Sequence, residues 1–304
     1  MENMKDINWF PGHMKKTKEL IVANLKLVDL VLEIVDARVP LSSRNPDIDK
    51  LVEKKPRLLI VNKVDLCDEE ALKKWKEYYK KNNINALFLN SQKGVDKALI
   101  LKNVRQTIKP ILDKEKAQGR KERSIRMMIV GIPNVGKSTF INQLVKKKIA
   151  TVGNKPGVTR GKQWIKVDEN FDLLDTPGVL WPKFEDQVVG IKLACIGTIN
   201  SDILDLYNLS LALIDILKKN DKYMSLLKTR YKLDDKVNDM EAKDIFNEIG
   251  RKRGFIIKGG EIDYKRCSVT IIDEFKNGKI GNVTLDDVPE VKEETKEDKE
   301  NIKE

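Results

Sequence analysis

Residues 125–138 read IRMMIVGIPNVGKS, and this stretch decides the fold. The apolar run over 125–131 predicts a buried strand, and a helical pattern begins near Lys137. Between them lies the pattern GxxxxGK[ST], from Gly131 to Ser138. A glycine-rich turn in this setting lets backbone N–H groups surround a phosphate, and the helix N-terminus adds partial positive charge. The stretch therefore predicts a phosphate-binding loop within an α/β fold.

The side chains of this loop have predicted tasks of their own. Lys137 is expected to reach the β- and γ-phosphates and to act as a catalytic residue, and the Ser138 hydroxyl is expected to ligate Mg²⁺. The remaining predicted nucleotide contacts of the loop come from Asn134, Val135, Gly136 and Thr139.

Two further motifs suit the γ-phosphate end of a nucleoside triphosphate. Residues 175–178 (DTPG) end an apolar run, which places the Asp175 carboxylate where a Mg²⁺ shell needs one and lets the Gly178 N–H approach the γ-phosphate. Residues 156–159 (PGVT) lie in a loop between the two motifs. The Thr159 hydroxyl can complete the Mg²⁺ shell there, in a loop that orders only with the γ-phosphate.

Another pair of motifs predicts that the base is guanine. Residues 62–65 (NKVD) follow an apolar run, so Asn62, Lys63 and Asp65 are candidate base contacts. A carboxylate can accept hydrogen bonds from the guanine N1–H and amino group, which adenine does not offer, and a site that demands those donors discriminates strongly. The Lys63 stem can cover the base, and the turn at Asn90 and Ser91 follows another strand, so that its backbone can meet guanine O6.

Strand and helix patterns alternate through the first part of the chain and become mostly helical later. This alternation predicts a parallel sheet with helices on both faces. The predicted strands cover 29–37, 57–63, 86–90 and 125–131, with a two-strand unit at 163–167 and 171–175. The predicted helices cover 13–27, 69–81 and 96–116, and helical periodicity returns at 204–217, 224–227 and 245–249. A terminal hairpin is predicted from 268–273 and 279–285 about Asn277-Gly278.

These patterns divide the chain into four predicted parts. They are an N-terminal segment and helix (1–28), a GTPase domain (29–185), a smaller, mostly helical domain (186–289) and a disordered acidic tail (290–304). The motif order is permuted, because an ordinary GTPase places the phosphate loop first and NKxD and SxK last. In a circularly permuted domain, DxxG leads almost directly into the helical part, which would connect a γ-phosphate-sensitive loop to a second domain.

Composition restricts the class of protein and of partner. The three cysteines lie far apart and there is one histidine, which excludes a Cys/His zinc module and fits a reducing compartment. No apolar run approaches the roughly 18 residues of a spanning helix, and no lipidation motif is present, so no membrane partner is expected. The net charge of +11 suggests a polyanion such as RNA, although a basic solvated surface would show the same charge. The run 251–253 (RKR) is the best candidate RNA contact.

The motifs together resemble the circularly permuted GTPases of the ribosome biogenesis GTPase A family. The matching stretches are WFPGHM at 9–14, DAR at 36–38, SSRNP at 42–46, NKVD at 62–65, GIPNVGKST at 131–139, PGVT at 156–159 and DTPGVLWP at 175–182. The resemblance implies a cytoplasmic bacterial factor for late assembly of the large ribosomal subunit, whose helical domain touches ribosomal RNA. The partners expected on this basis are GTP or GDP and the large subunit, and the protein is expected to be a monomer.

The resemblance also implies two catalytic features. Val179 stands where many GTPases carry a water-orienting glutamine, and the family's replacement for it would be His13, although a lone histidine is more often structural. Asn134 would ligate K⁺, whose charge replaces that of an arginine finger, although it could simply stabilise the loop turn. Two other functions stay open from the residues alone: a regulatory GTPase, and a nucleotide-gated RNA-binding protein that acts on another RNA or particle.

Overall fold

A six-stranded sheet forms the centre of the computed structural model, which describes residues 12–148, 163–181 and 184–290. The spatial order is β3-β2-β1-β4-β6-β5, and neighbouring strands are parallel except for β5 and β6. The strands are β1 (Leu30–Asp36), β2 (Arg57–Asn62), β3 (Ala86–Leu89), β4 (Ile125–Val130), β5 (Gln163–Asp168) and β6 (Phe171–Asp175). The predicted strands are confirmed to within one or two residues at each end.

The chain winds outward from the middle of this sheet in two directions. Strands β1, β2 and β3 run to one side, and β4, β6 and β5 run to the other, so the winding direction reverses between β1 and β4. Ligands of open α/β sheets bind at such a reversal, beyond the carboxyl ends of the strands. All four predicted nucleotide motifs with described residues follow the carboxyl end of a strand, at this one edge. The predicted fold class, a permuted GTPase sheet followed by helices, is confirmed.

Five helices surround the sheet in the described residues before 149. They are α1 (Gly12–Leu25), α2 (Pro46–Val52), α3 (Glu69–Lys81), α4 (Lys97–Ala117) and α5 (Lys137–Val145). Side chains fix several of the starts: Asn45, Asp68 and Asp96 each accept a hydrogen bond from a backbone N–H in the first turn of the helix that follows. Helix α4 makes the connection from β3 to β4 that closes the permuted order.

The described residues from 184 onward are mainly helical, as predicted. They contain α6 (Gln187–Cys195), α7 (Leu206–Lys218), α8 (Asp221–Tyr231), α9 (Ala242–Lys252) and α10 (Tyr264–Lys276). Helix α7 is central, since it contacts the other four and buries an almost wholly apolar side. No helix in the described ranges combines the length and the apolar character that crossing a bilayer requires.

The predicted terminal hairpin is wrong, because residues 268–273 belong to α10. Buried Cys267, Ile271 and Phe275 recur at helical spacing, and the Asp263 side chain caps the first turn. The Asn277-Gly278 pair ends this helix: Gly278 has a φ of +71°, the left-handed conformation common just after a helix C-terminus. The same dipeptide that marks a hairpin turn marks a helix stop here.

Residues 280–288, which we call the C-terminal strap, run back over the GTPase domain in an extended, irregular conformation. The Val283 N–H donates to Leu66 O at 3.1 Å, and the Leu285 N–H donates to Arg38 O at 2.7 Å. The buried Asp286 carboxylate accepts hydrogen bonds from the Ser42 N–H and hydroxyl, at 2.7 and 2.6 Å. The Thr284 N–H also donates to the Tyr223 hydroxyl of α8 at 3.3 Å, so the strap contacts both the loops beside the sheet and the helices that precede it.

The three cysteines are buried and form no disulfide. Burial raises the pKa of Cys67 to about 11 and those of Cys195 and Cys267 to about 12. At pH 8 we expect iodoacetamide to label the native protein at least about a hundredfold more slowly than the denatured protein, because little thiolate forms. Mass spectrometry after timed quenching measures this, with Lys73→Cys on the exposed side of α3 as a reactive control. A native cysteine that reacts as fast as this control would contradict the burial.

Candidate nucleotide-binding site

The phosphate loop between β4 and α5 has a backbone that only glycine fits at two places. Gly131 has a φ of +151°, and a Cβ atom there would lie 2.5 Å from Ile34 O on the neighbouring strand. Gly136 has a φ of +101°, and a Cβ atom there would collide with the Asn62 side-chain amide. The two glycines of the motif therefore allow the loop to lie directly against β1 and against the end of β2.

Lys137 and Asp175 form the charged centre of the site. Lys137 is 7% exposed, and its Nζ donates to Gly131 O at 3.0 Å and to Ile132 O at 2.9 Å. Burial lowers the pKa of Lys137 to about 8, with Asp175 opposing the shift. Burial also raises the pKa of Asp175 to about 6 against the effect of Lys137, and within the described residues its Oδ1 is buried without a hydrogen-bond partner.

This arrangement fits a nucleotide phosphate together with a divalent cation. A buried ammonium is stabilised by phosphate oxygens, and a buried carboxylate oxygen that lacks a donor is stabilised by a metal ion or its water. Ser138 is the second residue of α5 and is partly exposed beside Lys137. The side chains of Ser138 and Asp175 thus carry oxygen atoms of the kind that Mg²⁺ prefers.

The DTPG segment lies in contact with the phosphate loop. A Cβ atom on Gly178 would lie 2.8 Å from Pro133 N and 2.9 Å from Lys137 Nζ, so a larger residue does not fit. The Thr176 hydroxyl donates to Ile129 O at 2.6 Å, which fixes the segment to β4. The structure therefore brings Gly178 to the phosphate loop, as the motif spacing predicts.

The residue after DxxG has no polar side chain to offer. Val179 is 2% exposed, and its carbonyl accepts a hydrogen bond from Asn45 Nδ2 at 3.0 Å. Its apolar side chain cannot orient a water molecule. His13 lies in the first turn of α1, but its side chain is outside the described residues, and so is the whole of Thr159.

Asn62 and Ser91 hold the loops of the base-binding end together. The Ser91 N–H and hydroxyl donate to Asn62 Oδ1 at 3.0 and 2.9 Å, and Asn62 Nδ2 donates to Val135 O at 2.8 Å. Asn90 closes the turn after β3 by accepting from the Gln92 N–H at 2.8 Å. The amide of Asn62 thus joins three loops, a positioning task that was not predicted from the sequence.

Asp65 follows β2 and has a buried carboxylate oxygen. It sits in a short 3₁₀ turn (Val64–Leu66), and its Oδ1 is buried with no partner in the part of the chain that the structure describes. Before it, Lys63 takes a left-handed φ of +63°, and its Nζ donates to Asn134 O at 2.6 Å. A buried carboxylate oxygen of this kind is compatible with the predicted acceptance of hydrogen bonds from a base.

Asp36 and Arg38 belong to the DAR stretch that carries the family resemblance, and no task is predicted for them from the sequence. Asp36 is fully buried at the end of β1, and it accepts from Arg38 Nε and Nη2, both at 2.9 Å, and from Lys63 Nζ at 2.9 Å. Burial alone would raise the pKa of Asp36, but Arg38 and Lys63 outweigh it and hold that pKa well below its ordinary value. The available sequence signal was a charged pair directly after a buried strand, at the edge where the other motifs lie.

Comparisons with known proteins agree with the geometry of this site. A family model described as 50S ribosome-binding GTPase matches residues 126–246. Ribosome biogenesis GTPase A of Bacillus cereus is 45% identical over 298 residues, which span 98% of this chain and 99% of that protein. The chain belongs to the ribosome biogenesis GTPase A family. It is therefore a GTPase, of a class that binds its nucleotide together with Mg²⁺.

More distant members of the ribosome biogenesis GTPase A family carry the same architecture. The Thermotoga maritima protein is 30% identical over 280 residues, covering 92% of this chain and 94% of its own length. The GDP-bound structure of TM YlqF has a TM-score of 0.66 at 26% identity and covers 88% of this chain and 98% of its own. The GNP-bound YlqF from T. maritima has a TM-score of 0.63 at the same identity, over 91% and 100%. These structures confirm the permuted fold over nearly the whole chain.

Proposed function

We propose that this GTPase serves assembly of the large ribosomal subunit, and that it hydrolyses GTP in the cytoplasm while bound, as a monomer, to the immature particle. The observation that carries the GTPase half is that the buried Lys137 ammonium and the buried, unpartnered Oδ1 atoms of Asp65 and Asp175 all follow the carboxyl ends of strands at one edge of the sheet, within the described residues. Family membership and the net charge of +11 support the ribosomal half.

We assign the nucleotide contacts from the motifs, and the geometry of the described loops supports this assignment. Lys137 pairs with the β- and γ-phosphates, and Asp65 accepts from guanine. Ser138, Asp175 and Thr159 would hold Mg²⁺, which when bound neutralises charge on the phosphates. The other contacts come from Asn62, Lys63, Asn90, Ser91, Asn134, Val135, Gly136, Thr139 and Gly178.

Cosedimentation with ribosomal subunits tests the ribosomal half. Purified bacterial 30S and 50S subunits are centrifuged with the protein in the presence of GDP or a non-hydrolysable GTP analogue. We expect the protein to pellet with 50S subunits and to do so more with the analogue, because the γ-phosphate orders the loops beside the helical part. Pelleting with 30S subunits alone, or with neither subunit, would contradict the proposal. No specific feature of the site favours the regulatory alternative.

In the basic run 251–253, one residue stabilises helix packing and the other two are exposed and can contact RNA. Arg253 donates to Glu274 at 2.7 Å, and its guanidinium lies 5.2 Å from the centre of the Tyr231 ring, so it stabilises the packing of α9 on its neighbours. Arg251 and Lys252 are exposed, and their ion-pair partners are surface carboxylates. Surface ion pairs contribute little and exchange readily for phosphate contacts, so Arg251 and Lys252 are the RNA candidates of this run.

Asn134 is the proposed K⁺ ligand. Its side chain also contacts Gly197, so the two tasks have to be tested separately. Its Nδ2 donates to Gly197 O at 2.5 Å. We expect K⁺ in place of Na⁺ to accelerate hydrolysis roughly tenfold, less than the 10³–10⁵ of an arginine finger. Asn134→Ala should abolish the difference between the cations, whereas Asn134→Asp, which keeps an oxygen but cannot donate to Gly197, should retain it. Phosphate release measured in K⁺ and in Na⁺ tests this assignment. Equal rates for the unaltered protein in the two salts would contradict it.

A further inference from the structure

The phosphate loop touches the helical part of the molecule directly. The Asn134 side chain donates to the carbonyl of Gly197, which follows α6. Gly197 has a φ of +79°, and a Cβ atom there would lie 2.7 Å from Lys276 Cε. Gly197 therefore lies between the Asn134 side chain of the phosphate loop and Lys276 at the C-terminal end of α10.

A second path joins the same two places through the base-binding end. The backbone carbonyl of Asn134 accepts from Lys63 Nζ at 2.6 Å, and Lys63 pairs with Asp36 at 2.9 Å. Asp36 pairs with Arg38, whose Nη1 donates to the carbonyl of Lys276 at 2.9 Å. With the contact through Gly197, these bonds close a ring that includes the phosphate loop, NKxD, the end of β1 and the end of α10.

The buried arginine makes this ring stiff. Arg38 is 1% exposed, and its planar guanidinium uses three nitrogens, two toward Asp36 and one toward Lys276 O. Its carbon lies 5.9 Å from the centre of the Phe275 ring in the last turn of α10. A lysine can pair with Asp36, but it lacks the fixed fork that holds both partners at once.

We propose that Asp36 and Arg38 are positioning residues that hold Lys63 and the phosphate loop against α10, so that guanine-nucleotide binding stabilises the C-terminal end of that helix. The ring meets the site at the phosphate-loop backbone and at the base-binding lysine, and none of its residues comes from DxxG. The coupling therefore responds to GDP as well as to GTP, unlike a coupling through the γ-phosphate. The proposed coupling between nucleotide binding and α10 rests on the proposed guanine-nucleotide site.

Hydrogen exchange of α10 tests the proposal. The full-length protein is compared with and without Mg²⁺-GDP at about 100 times its Kd, a concentration that suppresses any opening incompatible with binding roughly a hundredfold. We expect amides in the last turn of α10 to exchange up to that factor more slowly with GDP. In Arg38→Met and Arg38→Lys we expect the ratio of exchange rates without and with GDP to fall toward one in this turn.

Comparison of Arg38→Lys with Arg38→Met separates a loss of coupling from a general loss of stability. Arg38→Lys keeps a charge beside Asp36, so it should fold, should bind GDP more tightly than Arg38→Met, and should still lose the protection of α10. The control is Arg123→Met, which removes a two-bond pair with Asp29 at the opposite end of β1 and should retain full protection.

Two outcomes would overturn the coupling: full GDP-dependent protection in Arg38→Lys, or the same loss in Arg123→Met. Failure of the unaltered protein to bind GDP would instead refute the proposed nucleotide site. The two failures are therefore distinguishable.

Discussion

Asp65→Asn should shift the base preference of the protein from guanine to xanthine. The buried Asp65 Oδ1 has no partner among the described residues, and in the proposed site this carboxylate accepts from the N1–H and amino group of guanine. An asparagine presents an N–H where the carboxylate accepted, which leaves the guanine amino group facing a donor. The carbonyl of xanthine at the same ring position accepts that N–H. Sites built on such a hydrogen bond reject the mismatched ligand by roughly 10⁴–10⁵.

Competition binding with GTP, XTP and ATP measures this shift. The control is Asp68→Asn, three residues further along, where the side chain caps α3 and either residue type can serve as the cap. We expect the control to retain its preference for GTP. An Asp65→Asn protein that still prefers GTP to XTP, or an unaltered protein that binds ATP as tightly as GTP, would refute the base-reading role.

His13→Ala should slow particle-stimulated hydrolysis and leave GTP affinity nearly unchanged. Val179 and Leu180 after DxxG are buried and apolar, so neither can orient the attacking water. An imidazole with a pKa near 6.5 can do so at neutral pH. Loss of such a group should reduce the stimulated kcat by roughly 10²–10⁴, about 3–5 kcal/mol of barrier. Because docking precedes hydrolysis, the variant should accumulate on immature large subunits.

Single-turnover hydrolysis on 50S subunits, measured beside GTP affinity, separates catalysis from structure. Glu19→Ala is the control, because Glu19 is an exposed residue of the same helix. His13→Gln adds a second test, since a glutamine can still hydrogen-bond a water and should recover part of the rate. Lost GTP affinity with an unchanged kcat in His13→Ala would give His13 a structural role and assign the water to another group.

The C-terminal strap shows why the boundary between the two domains differs from a cut in the sequence. Asp286 accepts from the loop that carries Ser42 and pairs with Lys192 of α6 at 2.9 Å. The Trp75 indole donates to Asp286 O at 3.4 Å. Ser42 and Trp75 precede the phosphate loop, whereas Lys192 follows it, so the last described segment packs against both parts of the molecule.

The sequence by itself determined the sheet, the permuted order and the chemical identity of the site. The strands after which the motifs lie are short apolar runs bounded by turn residues, and the phosphate loop needs glycine at 131 and 136 for steric reasons. Such signals are local, because a backbone conformation or a hydrogen-bonding requirement selects the residue type at that position. The acidic residues after 290, His13's side chain and Thr159 lie outside the described residues, and their predicted roles stay predictions.

Only the tertiary structure decided which of these residues meet. Arg38 and Lys276 are far apart in the chain, and their bond uses a backbone carbonyl, which leaves no trace in the residue type at 276. Asn277-Gly278 is compatible with a hairpin or with a helix end, and burial of Ile271 and Phe275 selects the helix. Local propensity cannot resolve such cases, because the free energy that decides them comes from packing between segments distant in sequence.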